Sequence, residues 1–342
     1  MRYGLLLAGG HGERFWPKSR LREPKQFLRL EGNKSLLQVT AERLSGWIPR
    51  KNLYVVALAS QAGRIRKEMR YLKASQVIGE PVGKNTAAAV ALGCSRILRK
   101  DPEAVIAVFP CDQWIGDRRS FLGCLKEALR RAGKGRSIVI FGVKPTRPDT
   151  GYGYIKTGRR GAVRRFIEKP NLAKAKRLLA SRSVLWNSGM FVFKGSLLLE
   201  ALRAVQPRLL RAFFTEPKGS LKRRYASLPA VSFDTAVLER FPKIECITAR
   251  FPWEDVGSWL SVARRTAPDR LGNRVIGEAF AVDSKENLVV SEERHLVGLF
   301  GLSDVAVIHT TEATLVCPKE RLGRLKEFLN RLKRERGLRS YL

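Results

Sequence analysis

Five residues near the start of the chain have the types and spacing to hold a polyphosphate. Gly9, Gly10 and Gly12 remove side chains where backbone N–H groups could reach an anion, and Arg14 and Lys25 add fixed positive charge beside them. Residues 4–7 are apolar and read as a buried strand, so the glycines stand where a strand empties into a loop. The pattern is G-G-x-G-x-R. It lacks the third glycine of a dinucleotide fingerprint and the Gly-Lys-Ser/Thr of a P-loop. On the glycines alone, a plain tight turn and a phosphate loop are equally supported.

Further carboxylates and amides recur at the ends of apolar runs. Glu80 follows residues 77–79 and precedes Gly83-Lys84-Asn85-Thr86. A carboxylate there could accept hydrogen bonds from guanine N1–H and N2–H₂, a donor pair adenine lacks, while Asn85 or Thr86 also suits the N-cap of the Ala-rich helix that follows. Asp112 closes the apolar run 104–109, where a turn former is the ordinary reading. Glu168-Lys169-Pro170 ends an alternating run and by itself suits a surface ion pair. Trp186-Asn187-Ser188-Gly189 read alone is a turn with an apolar anchor; Asn187 nevertheless offers both a donor and an acceptor for vicinal hydroxyls. Asp234 reads as a helix N-cap. Asp255 is a further carboxylate at a strand end, remote in sequence from Asp112.

The elements that must position these groups alternate in kind. Strand-like runs at residues 4–7, 53–58, 104–109 and 137–143, with a helical stretch near residues 35–44 and another after residue 85, imply βαβ units and a mostly parallel sheet. In such sheets ligands bind beyond the carboxyl ends of the strands, where the glycines lie. After residue 267 the pattern changes to short β-type runs separated by turns, and Leu322, Leu325, Phe328, Leu329 and Leu332 make an apolar helical stripe that reads as a docking face.

At 342 residues and 44% hydrophobic content the chain can bury a real core. No membrane span or signal peptide is evident, so a cytoplasmic location with no membrane partner is expected. The five cysteines are odd in number and contain no C-x-x-C, which fits reduced thiols. With three histidines, His11, His295 and His309, a soft-metal centre is hard to assemble. The formal net charge of +34 makes nucleic-acid binding a hypothesis to weigh. The cations are dispersed and no aromatic nucleic-acid module accompanies them, so a solvated basic surface without a specific nucleic-acid partner is expected.

The opening L-L-A-G-G-x-G-x-R-x-W-P-x-S-R, followed by P-K-Q-F-L, resembles sugar-nucleotide pyrophosphorylases, most closely the bacterial mannose-1-phosphate guanylyltransferases. G-E-P-x-G-x-N-T, F-x-E-K-P, W-N-S-G and W-x-D-V-G-S-W are similar to later segments of the same family. The chain departs from it at Lys84, where arginine is usual, at Gln113, where histidine is usual, and at Gly151. The resemblance implies an α/β, Rossmann-like (GT-A-like) nucleotidyltransferase domain over residues 1–267. It also implies a small left-handed β-helix-like domain over residues 268–342, ending in a helix, and a homodimer.

The implied reaction joins GTP and mannose 1-phosphate into GDP-mannose and pyrophosphate, with Mg²⁺ on Asp112 and Asp255. Arg14 and Lys25 would be catalytic. Ala8, Gly9, Gly10, Gly12, Glu80, Asn85, Thr86 and Asp112 would bind the nucleotide, and Gly153, Glu168, Lys169, Asn187 and Gly189 the sugar phosphate. A pyrophosphorylase for another base or sugar is the near alternative; a nucleic-acid-binding protein on a transferase scaffold is the distant one.

Overall fold

The computed structural model describes residues 1–342 except His11, Leu21, Arg22, Glu31, Arg182, residues 216–218 and Glu293. Its backbone contacts divide the chain into two compact units that interleave in sequence. The first holds Met1–Gly9, Leu37–Cys111 and Ile115–Trp253; the second holds Gly10–Leu36, Asp112–Trp114 and Glu254–Leu342.

The first unit is built on one sheet. Its strands are β1 (Arg2–Leu7), β2 (Leu53–Leu58), β3 (Val77–Glu80), β4 (Val105–Pro110), β6 (Ile138–Val143), β7 (Tyr154–Thr157), β8 (Val163–Ile167), β9 (Val184–Lys194) and β10 (Ile244–Thr248), with β5 (Gln113–Ile115) intervening in sequence. The main order is β10-β6-β9-β4-β1-β2-β3, with β7 and β8 branching from β9. The pairs among β1 to β4 and the pair β6–β10 are parallel, whereas β9 runs antiparallel to both β4 and β6. Near-continuous burial explains why the parallel strands read as unbroken apolar runs: β6 is buried at every residue.

The helix Asn85–Lys100 packs on this sheet through a row of small residues. A side chain at Gly93 would come within 2.6 to 2.9 Å of Leu5 and Val56. The alanines and this glycine therefore let the helix approach closely and hold residues 85–87 in a fixed place.

The second unit is β-rich in its C-terminal part. β11 (Trp253–Asp255) leads into it, followed by β12 (Arg274–Ile276), β13 (Glu278–Val282), β14 (Leu288–Ser291), β15 (Leu296–Phe300), β16 (Val305–His309) and β17 (Thr314–Pro318). β12, β14 and β16 pair in parallel, as do β13 and β15, so successive turns of chain stack as in a β-helix. The β-type stretch over residues 275–282 breaks at Gly277, whose φ of +98° turns a corner between β12 and β13.

A buried asparagine ladder holds the stack at that end. Asn273 Oδ1 accepts from the backbone N–H and from Nδ2 of Asn287, both at 3.0 Å, while Asn287 Oδ1 accepts from Val305 N at 2.9 Å. Both asparagines are 1% exposed. The last helix, Leu325–Leu332, buries Leu325 and Leu329 as its apolar stripe requires.

Candidate functional site

In the second unit, Gly12, the lysine and the two aspartates meet. Gly12 has a φ of +69°, and a Cβ there would collide with Lys25 Cβ and lie 2.7 Å from Ser19 Oγ. Only glycine lets the loop close over Lys25 in this way. Lys25 is 7% exposed, with its ammonium 5.6 Å from the Phe15 ring centroid. Lys25 Nζ donates to Asp112 Oδ2 at 2.7 Å and stands 4.0 Å from Asp255 Oδ1.

The backbone locks the two aspartates together, since Val256 N–H donates to the Asp112 carbonyl at 3.2 Å. Burial pushes the Asp255 carboxyl up to about 6; Lys25 pulls it down, Asp112 pushes it up as a like charge, and Arg14 pulls it down. Gly257 leaves space here as well: a Cβ at that position would sit 3.1 Å from Asp255 Oδ2 and 3.7 Å from Arg14 Nη1.

Aromatic residues hold this arrangement in place. Phe15 meets Trp259 edge-to-face at 5.2 Å, and Trp259 Nε1 donates to the Trp16 carbonyl at 3.0 Å. The second tryptophan of W-x-D-V-G-S-W thus anchors the segment that follows the glycines. Sequence reasoning assigned Phe15 and Trp259 no role, and their place within motifs was the one available signal.

In the first unit, Glu80 ends β3 and is 4% exposed. Tyr225 OH donates to Glu80 Oε1 at 2.5 Å, while a Cβ on Gly9 would lie 3.1 Å from Glu80 Oε2. Burial raises the Glu80 carboxyl above the ordinary range, and the Tyr225 bond opposes that shift. Tyr225 lies in no motif, so no local signal marks it as the partner of Glu80. The Ala8 N–H is taken by the Val56 carbonyl at 2.8 Å and so continues the strand ladder.

The capping expected of residues 85 and 86 takes another form. Asn85 adopts a φ of +62° and its Oδ1 accepts from Thr86 N, while Thr86 Oγ1 accepts from Phe233 N at 2.8 Å. The Thr86 hydroxyl therefore ties the helix start to residue 233, and the helix has no side-chain cap bond from Lys84.

A second cluster in this unit gathers the residues expected to hold a sugar phosphate. The segment 186–189 lies inside β9, where Gly189 takes a φ of +69°; it is no terminal turn. Asn187 N donates to the Gly153 carbonyl at 2.8 Å, its Oδ1 accepts from Gly189 N at 3.1 Å, and its Nδ2 donates to Asp234 Oδ1 at 2.6 Å. Asp234 is thus bound to Asn187 and caps no helix. Ser232 Oγ takes the local capping bond, from Thr235 N.

Burial raises the Asp234 carboxyl, the Asn187 bond lowers it, and the charge of Glu168 raises it. Glu168 pairs with Lys169 at 2.7 Å, the ion pair its adjacency suggested. Its Oε2 would lie 2.6 Å from a Cβ on Gly153. Gly153, Glu168, Lys169, Asn187 and Gly189 thus converge, with Asp234 as an added member.

The donor set of the aspartate pair is oxygen only, and two like charges flank one cation. That chemistry fits a hard divalent ion completed by ligand phosphates. Among the described residues no group of three or more His, Cys, Asp or Glu side chains could hold a metal. His295 and His309 stack on each other at 3.8 Å.

In open α/β sheets ligands bind beyond the carboxyl ends of the strands, and Glu80 stands at the carboxyl end of β3. The Nucleotidyl transferase family model matches residues 3–269, and a MannoseP isomerase/GMP-like beta-helix domain matches residues 277–332. The chain belongs to the nucleotidyl transferase family. It is 36% identical to the Xanthan biosynthesis protein XanB of Xanthomonas campestris, over 96% of this chain and 73% of that one. To the mannose-1-phosphate guanylyltransferase of Escherichia coli strain K12 it is 33% identical, over 97% and 73%. A crystal structure described as mannose-1-phosphate geranyltransferase from Thermus thermophilus superposes with a TM-score of 0.90 at 34% identity, covering 97% of this chain and 99% of that one. No helix among the described residues is long and apolar enough to cross a membrane.

Proposed function

We propose that the protein transfers GMP from GTP to α-D-mannose 1-phosphate, giving GDP-mannose and pyrophosphate. The observation that carries the reading is the buried Lys25 ammonium held between Asp112 and Asp255, three groups from separate motifs of a nucleotidyl transferase. Relatives named mannose-1-phosphate guanylyltransferase align with nearly the whole chain.

A phosphate oxygen of the sugar attacks the α-phosphorus of GTP. The bond from that phosphorus to the oxygen bridging to the β-phosphate breaks, and pyrophosphate leaves with the electron pair. No protein nucleophile is required, so catalysis rests on positioning and charge. Backbone groups of Gly9, Gly10 and Gly12 with Arg14 hold the triphosphate, assisted by Ala8, Asn85 and Thr86 through the placement of the chain. Lys25 stabilises charge developing at the α-phosphoryl. Glu80, oriented by Tyr225, accepts from the guanine edge. Glu168 and Asn187 take sugar hydroxyls, Lys169 the sugar phosphate, and Gly153 and Gly189 allow close approach. Mg²⁺, when bound at Asp112 and Asp255, supplies charge neutralisation to the phosphates.

In this reading residues 1–267 form the catalytic domain and residues 268–342 the β-helix-like one, working in the cytoplasm as a homodimer. Support for the dimer comes from β13 and β15, which expose Phe280, Leu296 and Phe300 at 64%, 61% and 79%. Phe300→Glu should convert a dimer to monomer in light scattering; an unchanged dimer mass would remove that face.

The test of the reaction is incubation with Mg²⁺, mannose 1-phosphate and each nucleoside triphosphate in turn, following pyrophosphate and weighing the product by mass spectrometry. Release with GTP, dependent on the sugar phosphate, is expected. Release with only another pair would move the substrate and keep the mechanism; none from folded protein would overturn the reading.

A further inference from the structure

The first unit carries an open groove of about 1060 Å³ at the β10 edge of its sheet, lined by eight lysines and arginines against two glutamates. Both carboxylates are engaged. Glu127 binds Arg130 and Arg131 at 2.8 and 2.7 Å, and Glu245 accepts from Ser137 Oγ at 2.8 Å with Arg131 at 3.6 Å. Lys134, Arg136, Arg159, Arg160 and Arg250 are exposed and make no ion pair among the described residues.

The backbone presents these charges in a fixed place. The turn carrying Arg159 and Arg160 is pressed onto β10: Ala162 bridges to Glu245, and Gly161, at φ +84°, has no room for a Cβ against the Cys246 carbonyl. Arg160 itself takes a φ of +57°, a conformation uncommon for a side-chain-bearing residue. A rigid arginine turn on one side and the end of the helix Arg118–Gly133 on the other make a cationic channel. It uses none of the residues assigned above to nucleotide or sugar.

We propose that this groove binds the phosphate backbone of a nucleic-acid duplex without reading its sequence. Charge selects a polyanion, because exposed lysines and arginines that neutralise phosphates release the counterions condensed on them. The lining contains no aromatic ring, so it offers no aromatic platform for single-stranded bases, and a duplex, with one phosphate charge about every 1.7 Å of its axis, presents these cations with the denser row of anions. A duplex, which hides its bases and displays phosphates along two strands, is the nucleic acid such a lining can hold. The +34 net charge gives the surface as a whole some attraction for polyanions, and the groove gathers eight of the lysines and arginines in one place.

The test compares two quadruple variants of equal charge loss. One replaces Lys134, Arg136, Arg159 and Arg250 by glutamine; the other replaces Lys326, Arg331, Arg334 and Arg336, exposed residues of the second unit. Fluorescence anisotropy with a labelled duplex of about 20 base pairs is read across a salt series. The groove variant is expected to lose about tenfold or more in affinity near 100 mM salt, with a log–log salt slope shallower by about 0.9 for each contact removed. The control variant should stay within about threefold of the parent. Pyrophosphate release should be unchanged in both, and circular dichroism confirms folding. Equal losses in the two variants would mean diffuse attraction and overturn the proposal. So would tighter binding of a single strand of the same length, or of inorganic polyphosphate at equal phosphate concentration.

Discussion

Lys25→Met removes the ammonium that Asp112 holds at 2.7 Å and Asp255 faces at 4.0 Å, while keeping an unbranched stem against Phe15. Two unit charges 4 Å apart interact by about 4 kcal/mol at an effective dielectric constant near 20. Losing one partner of a fully buried pair costs about 3–5 kcal/mol. Here the carboxylates are 37% and 33% exposed at their side chains, so solvent screens much of that. A stability loss of about 1–3 kcal/mol is expected, small enough to leave the protein folded. Turnover should suffer more, because the ammonium faces charge that develops during transfer: about 2.7–4 kcal/mol, or 10²–10³ in rate. Urea denaturation gives the first number and steady-state pyrophosphate release the second. Mg²⁺ should raise the melting temperature of the variant more than that of the parent, since the carboxylates have lost their resident cation. A folded variant turning over within about threefold of the parent would refute the assignment of Lys25.

Two further outcomes follow from buried polar groups. Glu80→Gln should lower kcat/KM for GTP more than for ITP, whose base lacks the 2-amino group, if Glu80 accepts from that edge. Its stability should behave oppositely: burial raises the folded-state Glu80 pKa above the unfolded value, so the parent loses stability as pH rises through that window and the variant does not. Thermal unfolding at acidic and alkaline pH should therefore show the variant gaining on the parent as pH rises. Asn273→Ala removes four side-chain hydrogen bonds, two with Asn287 in the ladder and one each to Asp269 and Ser284, and leaves Asn287 donors buried, which should cost about 1–3 kcal/mol in urea titrations. An unchanged midpoint would mean that the ladder does not hold the stack.

Much of this protein could be read from local pattern. Buried parallel strands must be apolar throughout, so β1, β2, β4 and β6 announced themselves as unbroken runs, and the glycine loop fell where such a sheet exposes its strand ends. The short strands after residue 273 were legible because turns punctuate them. Asp112 and Asp255, each at a strand end, could be paired through the family motifs that contain them, and the structure sets both beside Lys25.

What local pattern does not encode is which distant side chain meets which. Tyr225 reaches Glu80 across 145 positions, and Asn187 reaches Asp234 across 47, so an aspartate that looks like a cap is a buried partner instead. The Thr86 hydroxyl likewise accepts from the backbone N–H of Phe233, 147 positions away. A hydrogen bond has no sequence periodicity when its two ends come from different elements; it exists only after the sheet has brought them together. The basic groove shows the same division. Its charge is written in the composition, but the counter-ions that silence some arginines and the turn that fixes others are products of tertiary packing.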